Sequence, residues 1–190
     1  MAGTVFRKTI SMTLDPGSIE KAIADLKKFQ EDLKQAMQGL VEYLMESGVT
    51  HAKLIVAAMD AVDTGALMAS IGHGAFDPES RTGIIYAGSY YAAFVEFGTG
   101  IVGKASPHPG IASGEIKEGD FGVLGSNGTV YVKYDTNKHG EKGWVYRPVG
   151  RQWYYWTQGK EARPFMYETY KSLEEIAKRF AGDIIAEYVW

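Results

Sequence analysis

Three glycines, Gly98, Gly100 and Gly103, have the spacing with which many proteins hold the pyrophosphate of a dinucleotide. That chemistry needs the third glycine on a helix whose N-terminus faces the phosphates. The residues that follow include Pro107, Pro109 and Gly110, a composition that predicts no such helix after Gly103. The sequence therefore predicts a flexible glycine-rich loop without a bound nucleotide, although a nucleotide-dependent enzyme built on this loop is one hypothesis to test.

Other residue types that perform catalysis lack the necessary spacing. The chain has no cysteine, and its serines have no nucleophile-elbow glycines around them. None of the histidines has a second histidine at a metal-binding spacing, so surface or turn positions are expected for all four: His51, His73, His108 and His139. We therefore predict no catalytic, metal or cofactor site, and no enzyme.

Glu96 is the carboxylate most suited to a special role. It lies in the apolar stretch 94–97, where burial would require a partner for its charge. Arg163 is the candidate partner, because its planar guanidinium suits a carboxylate held between two elements. A glycosidase-like pair with Asp120 or Glu115 is the alternative, but those positions fall in glycine-rich sequence without a fixed scaffold. A structural role is favoured.

A group of aromatic residues between 144 and 156 could be core or a binding surface. One strand carries rings on both faces, and one small arm cannot cover both. We therefore expect the surplus rings to contact a neighbouring subunit. Stacking on single-stranded nucleic acid is a third use, but the net charge of −3 has the wrong sign. The interface candidates are Trp144, Tyr146, Trp153, Tyr154, Tyr155 and Trp156.

Two long helical patterns and several short strands must position these residues. An apolar stripe from Ile19 to Leu44 predicts a long amphipathic helix, started near Asp15 and Pro16 and closed by Gly48. The other predicted elements are an N-terminal strand or extended arm over 4–14, a helix over 50–62, a hairpin of strands 66–76 and 81–89, a short helix over 90–97 and a helix from Pro164 to about Tyr188.

The 190 residues fit one domain, with 98–161 as an inserted loop and hairpin arm. Within the insertion, residues 129–134 alternate as a strand does, and 144–146 and 153–157 predict a hairpin around a turn at 148–150. The predicted fold class is α+β: an antiparallel sheet packed against two long amphipathic helices, with a glycine- and aromatic-rich β-hairpin insertion.

Charge and hydropathy narrow the class of protein further. A net charge of −3 argues against a dedicated nucleic-acid-binding domain. No apolar run approaches the ~20 residues that span a bilayer, and the N-terminus has no secretory pattern. We expect synthesis in the cytoplasm and no membrane partner.

Four short motifs, in order, resemble those of bacteriophage minor structural proteins. They are the residues at 63–67, Ser70-Ile71, Tyr91-Ala92 with the segment 95–100, and 163–166. The chain from about residue 20 to its end resembles the neck or tail-completion family, including tail-completion proteins of the lambdoid kind.

This resemblance implies a structural virion protein of the neck or tail, assembled in the host cytoplasm. The implied state is a homo-oligomeric, six-fold ring (a hexamer) around the DNA channel, which DNA traverses without specific binding. The implied partners are connector or stopper proteins on one side and tail terminator or tail tube proteins on the other. No catalytic residue or cofactor comes with the resemblance. The alternative is a prophage-encoded binding or regulatory module without a role in the virion.

Overall fold

Helix α1, Pro16–Ala58, is the longest element of the chain. The computed structural model describes residues 11–59, 65–116, 123–124, 130–131, 142–147 and 152–189. The helix begins as predicted: the Ser18 N–H donates to Asp15 Oδ1 over 2.9 Å, and Pro16 occupies the first helical position, where its missing N–H costs nothing.

The predicted helix end at Gly48 is wrong, because α1 runs through that residue. Gly48 is buried, and a Cβ placed there would meet the side chain of Ile85 and would lie 2.9 Å from Leu173 Cδ1. The glycine therefore serves close side-chain packing against the helix and not a left-handed cap. The helices predicted over 19–44 and 50–62 are consequently parts of one helix as far as Ala58.

The predicted hairpin between 66 and 89 exists in shorter form. Residues 66–70 form helix α2, Ala66–Ser70, where a strand had been predicted. Strand β1, Ile71–His73, pairs with β2, Ile85–Ala87. Asp77 and Thr82 form an antiparallel bridge at the turn between them, and Asp77 Oδ1 accepts from the Glu79 N–H over 2.9 Å.

Three short helices follow. Helix α3 is Ala92–Phe97, as predicted for the 90–97 stretch. Helix α4, Gly100–Ala105, contradicts the predicted loop. Of the glycine motif, which is Gly98, Gly100 and Gly103, the last two lie in this helix, and the prolines come only after residue 105. Helix α5 is Pro109–Ala112.

Short antiparallel pairs and a long helix complete the chain. Strand β3, Val123–Leu124, pairs with β4, Val130–Tyr131, within the predicted 129–134 strand. Strand β5, Trp144–Tyr146, pairs with β6, Tyr155–Thr157, as predicted. After β7, Gly159–Lys160, helix α6 spans Phe165–Val189. The fold is therefore α+β, with two long helices and small antiparallel sheets.

The chain divides into two compact units. The first comprises Met1–Val49, His73–Ile85 and Lys171–Trp190, and the second comprises Thr50–Gly72 and Tyr86–Tyr170. All of the predicted insertion, 98–161, belongs to the second unit. Most of the predicted N-terminal strand, the end of the helix predicted over 50–62 and the turn at 148–150 lie outside the described residues.

Candidate functional site

The aromatic hairpin, which we define as β5, β6 and the preceding Trp153 and Tyr154, exposes rings on both of its faces. Its antiparallel register pairs Trp144 with Thr157, Val145 with Trp156 and Tyr146 with Tyr155. Because side chains alternate across a strand, the Tyr146 and Tyr155 rings share one face, with centroids 6.0 Å apart, and Trp156 projects from the other. Five rings are 40% to 73% exposed: Tyr146, Trp153, Tyr154, Tyr155 and Trp156.

Trp144, the sixth predicted interface residue, is half-buried and differs from the others. It lies against Gly100, where an added Cβ would be 3.1 Å from Trp144 Cζ3. This ring therefore anchors the base of the aromatic hairpin. A positive charge sits nearer the tip, since the Arg147 guanidinium lies 5.7 Å from the centroid of the Tyr154 ring, within the range of a cation–π contact.

The glycine motif forms the other half of that base. Thr99 and Gly100 make antiparallel bridges to Lys160 and Gly159. At Gly98 (φ 75°), a Cβ would lie 2.7 Å from the Ala162 nitrogen. At Gly103 it would lie 3.0 Å from the Lys160 carbonyl oxygen. The backbone of this chain thus occupies the space over the glycines that a pyrophosphate would use in a dinucleotide site.

Glu96 is buried, 6% exposed, and its carboxylate binds the N-terminus of α6. Oε2 accepts from the Met166 N–H over 2.8 Å, and Oε1 accepts from the Tyr167 N–H over 2.9 Å. These are the second and third N–H groups of the helix, which a capping side chain normally satisfies. Pro164 precedes the helix and has no acceptor in its side chain, so Glu96 supplies the cap from α3.

His108 completes this site. The sequence had predicted a surface or turn position for it, and the surface prediction is wrong. It is fully buried, and its Nε2 lies 3.1 Å from Glu96 Oε1. The Gly110 N–H donates to Nδ1 over 3.0 Å, so Nδ1 carries no proton and Nε2–H donates to the carboxylate. The ring packs between Phe97 and Tyr167, at centroid distances of 4.8 and 5.0 Å.

This geometry suits structure better than acid–base catalysis. Both nitrogens of His108 already have partners within the chain, so neither is directed at a substrate. The backbone N–H of the predicted partner, Arg163, donates to the Val95 carbonyl over 2.8 Å and fastens the start of α6 to α3. Glu115, the alternative partner, instead accepts from the Tyr167 hydroxyl over 3.0 Å.

A second exposed apolar surface lies on the first turns of α1. The predicted stripe was expected to face the core, yet Ile19, Ile23 and Leu26 are 36% to 55% exposed. Their spacing of four and three residues places them on one side of the helix. We call these three residues the aliphatic stripe. Met12 and Leu14, just before α1, are also exposed.

The described residues contain no group of three or more His, Asp or Glu side chains that could hold a metal ion. In the same part of the chain, no helix combines the length and apolar content of a membrane span. No protein-family model, curated protein sequence or solved structure matches this chain.

Proposed function

We propose that this protein is a structural part of the bacteriophage neck or tail, which completes the tail or joins it to the head. Copies form a closed ring, six in number, around the DNA channel, and the ring lies between a connector or stopper protein and a tail terminator or tail tube protein. The protein acts in the virion after assembly in the host cytoplasm, turns over no substrate and lets DNA pass without specific binding.

The observation that carries this proposal is the aromatic hairpin. Tyrosine and tryptophan provide large contact areas with little loss of side-chain entropy, and they are enriched among residues that dominate interface energies. Here Trp153 and Trp156 are 73% and 62% exposed. The base of the hairpin is fixed by Trp144 and by the bridges at Thr99 and Gly100, so little ordering is left to be done on binding.

The motif resemblance supplies the identity of the assembly, and the site geometry supports a non-catalytic role. The Glu96 carboxylate caps α6, and His108 holds the 108–110 segment through the hydrogen bond from the Gly110 N–H. The glycine motif contacts Gln158, Lys160 and Ala162 of its own chain.

Light scattering after gel filtration and negative-stain electron microscopy test the proposal on the full-length protein. We expect uniform rings with a central opening at concentrations up to about 1 mM, a range that captures even weak self-association. Connector or tail particles purified from the bacterium that encodes the protein provide the second arm. A strict monomer at every concentration that also fails to add to those particles would refute the function.

A further inference from the structure

The aromatic hairpin lies in a basic part of the chain, although the whole chain has a net charge of −3. Residues 142–163 carry five Lys or Arg and a single acid, Glu161, a formal charge of +4. Moving the limits of this range outward keeps the charge positive, at +4 for 133–163 and +3 for 133–170. Lys104 adds another cation, because it is exposed on α4, which packs against β7 and contains no acid.

The net charge of the whole chain argues against a nucleic-acid ligand, but it is not the charge that a ligand at the hairpin experiences. Salt at 0.1 M limits the reach of an exposed charge to about 10 Å, and three residues of a strand also extend over about 10 Å. The charges around the hairpin therefore decide the potential there. Among the described residues, the exposed cations at the hairpin are Lys142, Arg147 and Lys160, and the exposed acid is Glu161.

One face of the hairpin combines a cation with two exposed aromatic rings. The register pairs Val145 with Trp156, and alternation continued by two residues along each strand places Arg147 and Tyr154 on the same face. The distance of 5.7 Å between the Arg147 guanidinium and the centroid of the Tyr154 ring agrees with this placement. Tyr154 and Trp156 are 69% and 62% exposed. We call these four residues the Arg147 face.

We propose that the Arg147 face binds single-stranded nucleic acid without sequence specificity. Every base has a flat π surface that stacks on an exposed aromatic ring, and the phosphates of the backbone pair with cations beside the rings. Residues two apart on a strand are separated by about 7 Å, about twice the ~3.4 Å rise between stacked bases, so Tyr154 and Trp156 have room for separate bases. The Arg147 guanidinium binds a phosphate of the same strand, because its planar fork of N–H donors suits phosphate oxygens.

Single-stranded nucleic acid offers both groups that this face requires, phosphates for the cation and unpaired bases for the rings. An acidic polypeptide offers carboxylates alone, and a duplex keeps its bases stacked and paired inside. The inference goes beyond the proposed function, which requires no bound nucleic acid. Tyr146 and Tyr155 lie on the opposite face of the hairpin, so they stay accessible for contacts between proteins.

Fluorescence anisotropy tests the binding on the full chain. The probe is a labelled oligo-dT of about 20 nucleotides, longer than the ~4 to 16 nucleotides that a single-strand-binding fold covers. We expect a Kd of about 1 to 100 µM, the range of non-specific binding. Trp156→Thr should weaken binding at least about 5-fold, the loss expected for one stacked base. Arg147→Gln should weaken binding and lower the slope of the logarithm of affinity against the logarithm of salt by about 0.7, the contribution of one phosphate contact.

Two substitutions on α1 are the matched controls. Tyr43→Gln removes an exposed ring and Lys27→Gln removes an exposed positive charge, and both variants should bind like the wild type. Circular dichroism melting curves verify the folding of all four variants, which change only exposed side chains. Duplex DNA of the same length and polyglutamate should bind equally with and without the Trp156 ring, because neither has unpaired bases to stack on it.

A wild-type chain that leaves the oligo-dT unbound up to about 1 mM would overturn the inference. Binding by Trp156→Thr and Arg147→Gln that equals binding by the controls would do so too. A loss of polyglutamate binding in Trp156→Thr as large as the loss of oligo-dT binding would show that the face serves an acidic protein instead. Rings that bind no oligo-dT would leave the proposed function standing, and oligo-dT binding by a chain that forms no ring and joins no particle would leave only this inference.

Discussion

Replacing Glu96 by glutamine tests the central polar contact of the second unit. The carboxylate has four lone-pair sites and accepts three hydrogen bonds, from the Met166 N–H, the Tyr167 N–H and His108 Nε2. Glutamine has the same shape but turns one acceptor oxygen into an NH₂ donor. That donor must then face another donor in a site where Glu96 is 6% exposed.

His108 cannot relieve this conflict by changing its tautomer. If Nε2 lost its proton to accept from the new amide, Nδ1 would gain one and would face the Gly110 N–H at 3.0 Å. One unsatisfied donor therefore remains in either tautomer. An unsatisfied buried polar group costs about 1 to 3 kcal/mol, and hydrogen bonds to a charged acceptor contribute about 1.5 to 3 kcal/mol each. We expect Glu96→Gln to lower the free energy of unfolding by about 3 kcal/mol.

Urea unfolding followed by circular dichroism measures this change. With a slope of about 2 kcal/mol per molar urea, the midpoint should fall by about 1.5 M. Glu42→Gln is the matched control, because Glu42 is exposed on α1 and its change should stay within about 0.5 kcal/mol. A Glu96→Gln midpoint within the error of this control would show that the negative charge and its three acceptor contacts are not needed, and the reasoning would be refuted.

Three further substitutions test other contacts. In urea unfolding, Gly159→Ala should lower the free energy of unfolding by about 2 kcal/mol more than the control Gly114→Ala. Both glycines have a positive φ, 113° and 77°, but only at Gly159 would the Cβ meet the Thr99 carbonyl. Gly48→Ala should cost about 1 to 3 kcal/mol, and less in an Ile85→Val background, whereas strictly additive effects would contradict the packing. The Ser80 hydroxyl, followed by the Glu79 N–H, holds the pKa of Asp77 below its usual 3.8, so the stability from this turn is present above that value and is lost as the pH falls through the lower folded pKa. Asp77→Asn should remove this loss of stability at low pH. If NMR shows that the Asp77 carboxyl titrates at its usual pKa, this expectation is contradicted.

Local pattern was sufficient to predict the long elements. Asp15, Pro16 and a stripe of apolar residues predicted the start and the length of most of α1, because capping and helical periodicity depend on neighbouring residues alone. The same reasoning predicted α6 and a hairpin of 144–146 with 153–157, of which 155–157 form the paired strand. The α+β class followed from these elements and is confirmed.

Distant contacts decided the elements that were wrong. Glycine is the residue type typical of a helix end, yet at Gly48 the side chains of Ile85 and Leu173, far away in the chain, occupy the space beside the helix. The glycine motif was predicted to be a loop, but Gly100 and Gly103 lie in α4, and Gly98 and Gly103 let the 160–162 backbone approach closely. Helix propensity cannot predict such tertiary packing, since the packing partners lie far away in the sequence.

The candidate site was predictable only in part. Glu96 stood out because a carboxylate within an apolar stretch needs a partner, and the structure buries it. Its partners, His108 and the N–H groups of 166–167, could not be read from residue types, because backbone donors have no sequence signature. Pro109 was a usable signal, since the side chain before a proline at a helix start often caps it, and His108 Nδ1 accepts from the Gly110 N–H.

The two ends of the predicted insertion meet at this polar site, which links folding to the proposed assembly. Glu96 holds the start of α6, the Arg163 N–H donates to the Val95 carbonyl, and Gly98 packs against Ala162. The base of the aromatic hairpin is built on the same short segments. Loosening the cap should therefore loosen the hairpin, although no residue of the hairpin has changed.

Glu96→Gln is thus expected to weaken self-association as well as folding, because a hairpin that must be ordered on binding loses affinity. Hydrogen exchange in the variant should increase at 98–103 and 158–162 under conditions where α1 stays protected. Faster exchange at these segments with unchanged self-association would show that the Glu96 cap does not influence the interface. Unchanged exchange there, with the expected fall in stability, would show that the cap acts on the whole unit and not on the hairpin base.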